Sequence, residues 1–184
     1  MPSRLFRTLI SRPIPSLFLA LWWLPLLLYP PTATLAAQLR DGRVIRVTDG
    51  DGVELIMEGK AYRTRLIGID APEMGQEPWG KRSRDHLKSQ LKKNQWRVTI
   101  ETDIVERDKY RRLLVYLRTP DGEMLNERQL KDGYAVLFTI QPNSRYVERF
   151  TRAQTDAHEH QRGIWGSDGL TEPPSEYKKT HKRK

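Results

Sequence analysis

The sequence predicts a mainly β fold with helices: a small five-stranded barrel carrying three helices. Three observations lead there. Five short apolar or alternating runs lie between residues 42 and 117, each bounded by Gly, Pro, Asn or Asp. The period changes to a helical one in a segment between the third and fourth runs and in two more after the fifth. With so few short strands, closure into a barrel removes the exposed edge that an open sheet would present. The 184 residues suffice for one domain with a hydrophobic core, and the chain has no cysteine, so it folds without disulfides.

Taken in order, Gly42 to Val53 reads as a strand running into a tight TDGDG corner, with Val44, Ile45 and Val47 before the turn. Glu54 to Met57 continues as a second strand, and the triplet at Glu58 to Lys60 reverses the chain into a third, Ala61 to Ile69. Pro72 ends that run just after Asp70. From Pro78 and Gly80 the pattern becomes a surface helix, with Leu87 and Leu91 four apart among basic residues and Asn94-Gln95 closing it. Trp96, Val98 and Ile100 place one apolar side on a strand over Arg97 to Glu101. After a polar loop through Asp108 comes a strand from Leu113 to Leu117, turned by Pro120-Asp121-Gly122. Met124 to Lys131 reads as a short helix with Leu125 and Leu130 inward, and Ser144 to Gln161 as the last. Residues 167–184 are polar and end in KKTHKRK, which predicts a flexible basic tail.

Residues 1–37 stand apart from this domain. Arg4, Arg7 and Arg12 occur there without an acidic residue, ahead of an apolar run from Leu17 to Tyr29 and the small residues of TATLAAQ. Those thirteen apolar residues would span about 20 Å as a helix, against a hydrocarbon core of about 30 Å. The pattern is that of a secretory signal cleaved after Ala36 or Ala37, giving an exported protein. The alternative is an uncleaved membrane anchor over residues 14–29. The net charge of +9 less the three leader arginines leaves +6 on residues 38–184, a balance that steers a soluble domain toward polyanions.

Charged residues cluster at the ends of the apolar runs in three segments: VTDGDGV with Asp49 and Asp51, RTRLIGIDAPE with Arg65, Asp70 and Glu73, and ERDKYRRLL with Arg112. Carboxylates meeting in one pocket repel unless a cation joins them, and a hard divalent ion with oxygen ligands does so. Calcium tolerates the irregular geometry that side chains, carbonyls and waters provide. Guanidiniums contact two phosphate oxygens at once and keep their charge at any ordinary pH. Arg65 lies five residues before Asp70 along one strand, an odd interval, so only strand twist and the turn can bring the two together. Each piece alone has a plainer reading. DGDG is a common turn, Arg65 fits the solvent face of a strand, and Asp108 fits a salt bridge to Arg107 or Lys109. His158 and His160, with His86 and His181 the only histidines, lack metal-motif spacing. Tyr134 reads as barrel packing and Trp165 as a plug against the last helix.

These three segments, with MLNERQLKDGYA and RGIW, closely resemble the staphylococcal-nuclease-like family, or thermonucleases, over roughly Arg43 to Trp165. The resemblance implies an OB barrel with three helices and a calcium-dependent cleavage of DNA and RNA that leaves 3′-phosphate ends. It implies Asp51 and Asp70 as calcium carboxylates, the Ala71 backbone carbonyl as a third ligand, and Asp49 as a supporting carboxylate. Glu73 would be the general base or would order the attacking water. Arg65 would grip the scissile phosphate and Arg112 would stabilise the transition state. Tyr110 and Lys109 would lie near the substrate phosphate. The chain departs from the family pattern at Gly52, where Thr is frequent, at Ala71, where the best-known members have Thr, and at Arg111, where glycine is familiar. Its AVLFTIQPN stretch lacks the paired tyrosines of the base pocket, leaving Phe138 as a stacking face, and the loop from Glu73 to Trp79 is short. The alternative to a nuclease is a noncatalytic OB module that binds nucleic acid. No long apolar stripe suggests an obligate partner, so a monomer is expected.

Overall fold

The computed structural model describes residues 39–181. The leader of residues 1–37, with its signal-peptide and membrane-anchor readings, lies outside them. Among the described residues no helix is long and apolar enough to cross a membrane.

Five strands close into a barrel in the order β1(Arg40–Val47), β2(Val53–Met57), β3(Lys60–Leu66), β6(Leu113–Arg118), β5(Arg97–Glu101). All pairings are antiparallel except β3 with β6, which run parallel with Thr64 opposite Leu113 and Arg65 opposite Leu114. That parallel pair matters for function. It sets the strand bearing Arg65 beside the strand that begins immediately after Arg112. Alternation supplies the core: Val53, Leu55 and Met57 of β2 and Val98 and Ile100 of β5 point inward and are buried. Trp96 lies outside β5 with a positive φ of 66° and packs on the edge of the core.

The predicted third strand is divided. After β3 the chain turns at Gly68, where φ is +82°, and β4(Gly68–Asp70) leaves the barrel to pair with β7(Val136–Phe138). β7 was not legible in the sequence, because three residues are too few to establish a period.

Helix α1(Trp79–Lys93) buries Leu87 and Leu91, and α2(Leu125–Lys131) buries Leu125 and Leu130, as their spacing predicts. Helix α3(Val147–Glu159) begins three residues later than predicted. Ser144 to Tyr146 form its approach instead, since Tyr146 donates its hydroxyl hydrogen to Glu101 at 2.8 Å and Arg145 pairs with the same carboxylate at 2.7 Å. A fourth helix, α4(Pro174–Thr180), follows the three expected ones and lies within residues 167–184. Pro174 occupies its first turn, where a missing N–H costs nothing. The segment before it is tied down by Trp79, whose indole N–H donates to the Asp168 carbonyl at 2.9 Å.

Two buried amides of α2 hold the loops of the site. Asn126 Nδ2 donates to the carbonyls of Ile67 (2.9 Å) and Val115 (3.2 Å), and its Oδ1 accepts the Leu117 N–H at 3.0 Å. Gln129 Nε2 donates to the carbonyl of Gly50 at 2.7 Å. A buried carbonyl without a donor costs about 1–3 kcal/mol, so these contacts fix loop positions that apolar packing could not.

Candidate active site

A cleft of about 1240 Å³ opens beside β3, between the loop ahead of β6, the β4–β7 pair and α4. Its floor is built from the two carboxylates. The corner Asp49–Gly52 folds back so that the Asp51 carbonyl accepts the Leu66 N–H at 2.8 Å, and Asp51 Oδ2 accepts the Ala71 N–H at 2.7 Å. The loop after β1 and the loop after β4 are thereby locked together. Asp49 stands behind this contact, its Oδ1 accepting the Asp51 N–H at 3.1 Å.

Arg65 lies between the two acids. Nη1 pairs with Asp51 Oδ1, while Nη2 donates to Asp70 Oδ1 at 2.7 Å and to the Ile69 carbonyl at 3.0 Å. The odd interval from Arg65 to Asp70 is resolved by the turn at Ile67-Gly68, which returns the chain toward Arg65. Asp51 and Asp70 are 4% and 1% exposed, so both carboxylates are held out of water and depend on cations for their charge balance.

Arg112 enters from the other wall. Its Nε donates to Asp108 Oδ2 at 2.7 Å, and Asp108 Oδ1 accepts the backbone N–H groups of Tyr110 and Arg112, each at 2.9 Å. Asp108 thus pairs with Arg112, not with Arg107 or Lys109 as the sequence suggested. Burial alone would raise its carboxyl, but the Arg112 side chain and these amides outweigh that and hold it below the usual carboxylate range. Tyr110 is 65% exposed at the rim, with the Lys109 ammonium 5.1 Å and the Arg112 guanidinium 5.6 Å from its ring centre.

The family model for staphylococcal nuclease homologues matches residues 63–167. The chain belongs to this family. It is 38% identical over 130 residues to a thermonuclease of Staphylococcus hyicus, covering 68% of this chain and 75% of that one. An uncharacterised endonuclease of Escherichia coli O157:H7 is 37% identical over 133 residues, 72% of this chain and 81% of its own. A thermonuclease of Staphylococcus intermedius is 38% identical over 127 residues, 66% and 74% of the two chains.

Against the staphylococcal nuclease pattern, the departures at Gly52 and Arg111 acquire physical content. A Cβ at position 52 would stand 2.6 Å from Thr48 Oγ1 and 2.8 Å from Asp49 Oδ1, so glycine makes room for the Thr48 hydroxyl, which donates to the Gly52 carbonyl at 2.9 Å. A neighbouring hydroxyl therefore fills the space that a residue-52 side chain would take. Arg111 adopts a φ of +64°, a left-handed conformation that glycine enters freely and arginine does not. Phe138 lines the cleft and is 39% exposed, leaving a face for stacking.

All nine sequence-predicted positions lie in this region, but they do not all meet. Asp51, Arg65, Asp70 and Ala71 form one bonded cluster, Asp108 and Arg112 a second on the facing wall. Glu73 joins the first cluster only through a residue the sequence reading did not single out. Lys178 of α4 pairs with Asp70 Oδ1 at 2.6 Å and with Glu73 Oε1 at 3.0 Å. Gln76 was also missed. Its Oε1 accepts the Glu73 N–H and its Nε2 donates to the Glu172 carbonyl, both at 2.9 Å. Of the bystanders, Tyr134 stacks on His86 of α1, ring centres 4.2 Å apart, and Trp165 meets His158 edge-on at 5.2 Å.

The donor set fits a hard divalent cation in one respect and limits it in another. Two buried carboxylates, Asp51 and Asp70, converge on one guanidinium, and their oxygens supply the negative charge that an oxygen-coordinated cation requires. Among the described residues no three His, Asp or Glu side chains converge as a full metal cage. An ion here would draw its remaining ligands from backbone, water and substrate.

Proposed function

We propose that the protein is an exported, calcium-dependent phosphodiesterase that hydrolyses DNA and RNA with little sequence specificity and leaves 3′-phosphate ends. The observation that carries this reading is the Asp51–Arg65–Asp70 cluster, buried on the floor of a cleft whose facing wall presents Arg112. Asp51, Asp70 and the Ala71 carbonyl would hold the calcium ion, which when bound supplies Lewis-acid polarisation of the phosphate.

The chain's own residues account for the remaining chemistry. Water attacks phosphorus in line with the 5′ oxygen, Glu73 takes or steers the proton that water loses, and the P–O5′ bond breaks with its electron pair leaving on oxygen. Arg65 reaches the phosphate from the floor with the N–H groups not spent on Asp51, Asp70 and Ile69, and Arg112 offers its paired Nη groups from the facing wall to oxygens that gain charge in the transition state. Their fixed positions matter: Arg65 is held by Asp70 and the Ile69 carbonyl, Arg112 by Asp108. Lys109 and Tyr110 at the rim contact neighbouring phosphates, contacts that carry no base information and so suit low specificity. Export is proposed on residues 1–37 alone, and the monomeric state on the absence of a long apolar stripe in the sequence.

The test is cleavage of end-labelled single-stranded DNA, duplex DNA and RNA with calcium or with chelator. The reading predicts calcium-dependent cleavage of all three, with products that resist polymerase extension until a 3′-phosphatase is added. Binding without cleavage under every metal condition would replace it with the noncatalytic module.

A further inference from the structure

Helix α4 brings a lysine to one carboxylate assigned to the metal and to the one assigned as base. Lys178 Nζ lies 2.6 Å from Asp70 Oδ1 and 3.0 Å from Glu73 Oε1, joining the assigned metal ligand to the assigned base. A calcium ion binds carboxylate oxygens at 2.3–2.6 Å. The ammonium therefore sits at coordination distance from the same oxygen. Asp70 Oδ1 already accepts from Arg65 at 2.7 Å, so with Lys178 in place both of its lone pairs are taken, and a divalent ion reaches that oxygen only by displacing one of the two cations.

The helix is built into this position. Tyr177 lies over Gly75, where any Cβ would come 2.5 Å from its hydroxyl, so glycine at 75 is what permits the contact. Gln76 bonds both the Glu73 amide and the Glu172 carbonyl, tying the loop that carries the base to the chain entering α4. Trp79 fixes the same segment further back through Asp168. Ser175, Lys178 and Lys179 consequently form part of the cleft wall. Apart from Lys178, nothing in these contacts engages the two carboxylates, and the Lys178 side chain is 40% exposed, which leaves it free to swing away.

We infer that α4 is an intramolecular lid whose Lys178 ammonium competes with the divalent cation for Asp70 and Glu73. The closed form keeps the carboxylates neutralised when calcium is scarce, and calcium opens it by displacing Lys178. The inference rests on the calcium-site reading above. An ion pair of this exposure populates the closed form a few times over the open one, and apparent affinity falls by the open fraction. Lys178→Met, which keeps the aliphatic stem and removes the charge, is therefore expected to bind calcium about fivefold tighter.

The experiment is calorimetric calcium titration of the full chain, of Lys178→Met and of Asp70→Asn, with hydrogen exchange of residues 174–180 followed at each calcium concentration. The lid predicts tighter binding by Lys178→Met, faster exchange of residues 174–180 in the wild type as calcium fills the site, and exchange in Lys178→Met that is fast throughout. Equal calcium affinity in wild type and Lys178→Met, with exchange of α4 insensitive to calcium, overturns the lid and leaves the metal site standing. Loss of oligonucleotide affinity in Lys178→Met with calcium affinity unchanged also overturns it, reassigning Lys178 to the phosphate path. If Asp70→Asn binds calcium as the wild type does, the metal site itself has been misassigned and the lid falls with it.

Discussion

Asp108 and Arg112 form a closed pair at the cleft wall: the carboxylate accepts the Arg112 Nε–H at 2.7 Å and its backbone N–H at 2.9 Å. The loop and the guanidinium are thus fixed by one side chain. Asp108→Asn keeps the shape but weakens the bond to the charged group. It is expected to lower kcat about tenfold with little change in KM, because orientation of Arg112 counts most in the transition state. Steady-state kinetics beside Arg112→Ala, which should lose a further factor of ten or more, checks this.

The same pair has a pH consequence. The Asp108 carboxyl is held below its ordinary value, so folding favours its ionised form. Its contribution to stability is complete above the unfolded carboxylate pKa of about 3.9 and is lost as pH falls through the depressed folded value. Acid unfolding of Asp108→Asn, compared with the wild type, should show a smaller loss of stability over that interval.

Gln129 of α2 reaches the carbonyl of Gly50, next to Asp51, at 2.7 Å. Gln129→Met preserves volume but leaves the Gly50 carbonyl without its donor. A loss of about 1–3 kcal/mol is expected in urea denaturation. Cleavage rate should fall as well, since Asp51 stands one residue from that carbonyl.

Arg111 carries a left-handed backbone at φ +64°, which costs an L-residue about 1–2 kcal/mol. Part of that is returned by the greater unfolded entropy of glycine. Arg111→Gly is expected to stabilise the protein by about 0.5–1 kcal/mol, read as a higher urea midpoint. An unchanged midpoint would mean that the entropy glycine gains in the unfolded chain cancels the relief of strain.

The barrel was legible because each strand alternates or opens at a turn residue, as in Val53-Leu55-Met57 between TDGDG and EGK. The site was legible as a set of segments, because the resemblance fixed spacings that individual residues could not. What escaped depended on contacts far apart in sequence. Lys178 meets Asp70 across 108 positions, and Gln76 meets Glu172 across 96. A lysine in a polar, proline-containing tail has no local period to mark it. Asn126 and Gln129 were visible as polar residues among the apolar positions of MLNERQL, three apart on one helical face. Their burial follows from β6 and the Asp49–Gly52 corner closing over α2, which no short window contains.

Most direct for the central claim is the single-turnover cleavage rate of wild type and Glu73→Gln on one labelled DNA strand, with saturating calcium and with chelator. Cleavage should require calcium and fall by two or more orders of magnitude in Glu73→Gln, with calcium affinity largely kept. Wild-type turnover in Glu73→Gln, or equal cleavage in chelator, would contradict it.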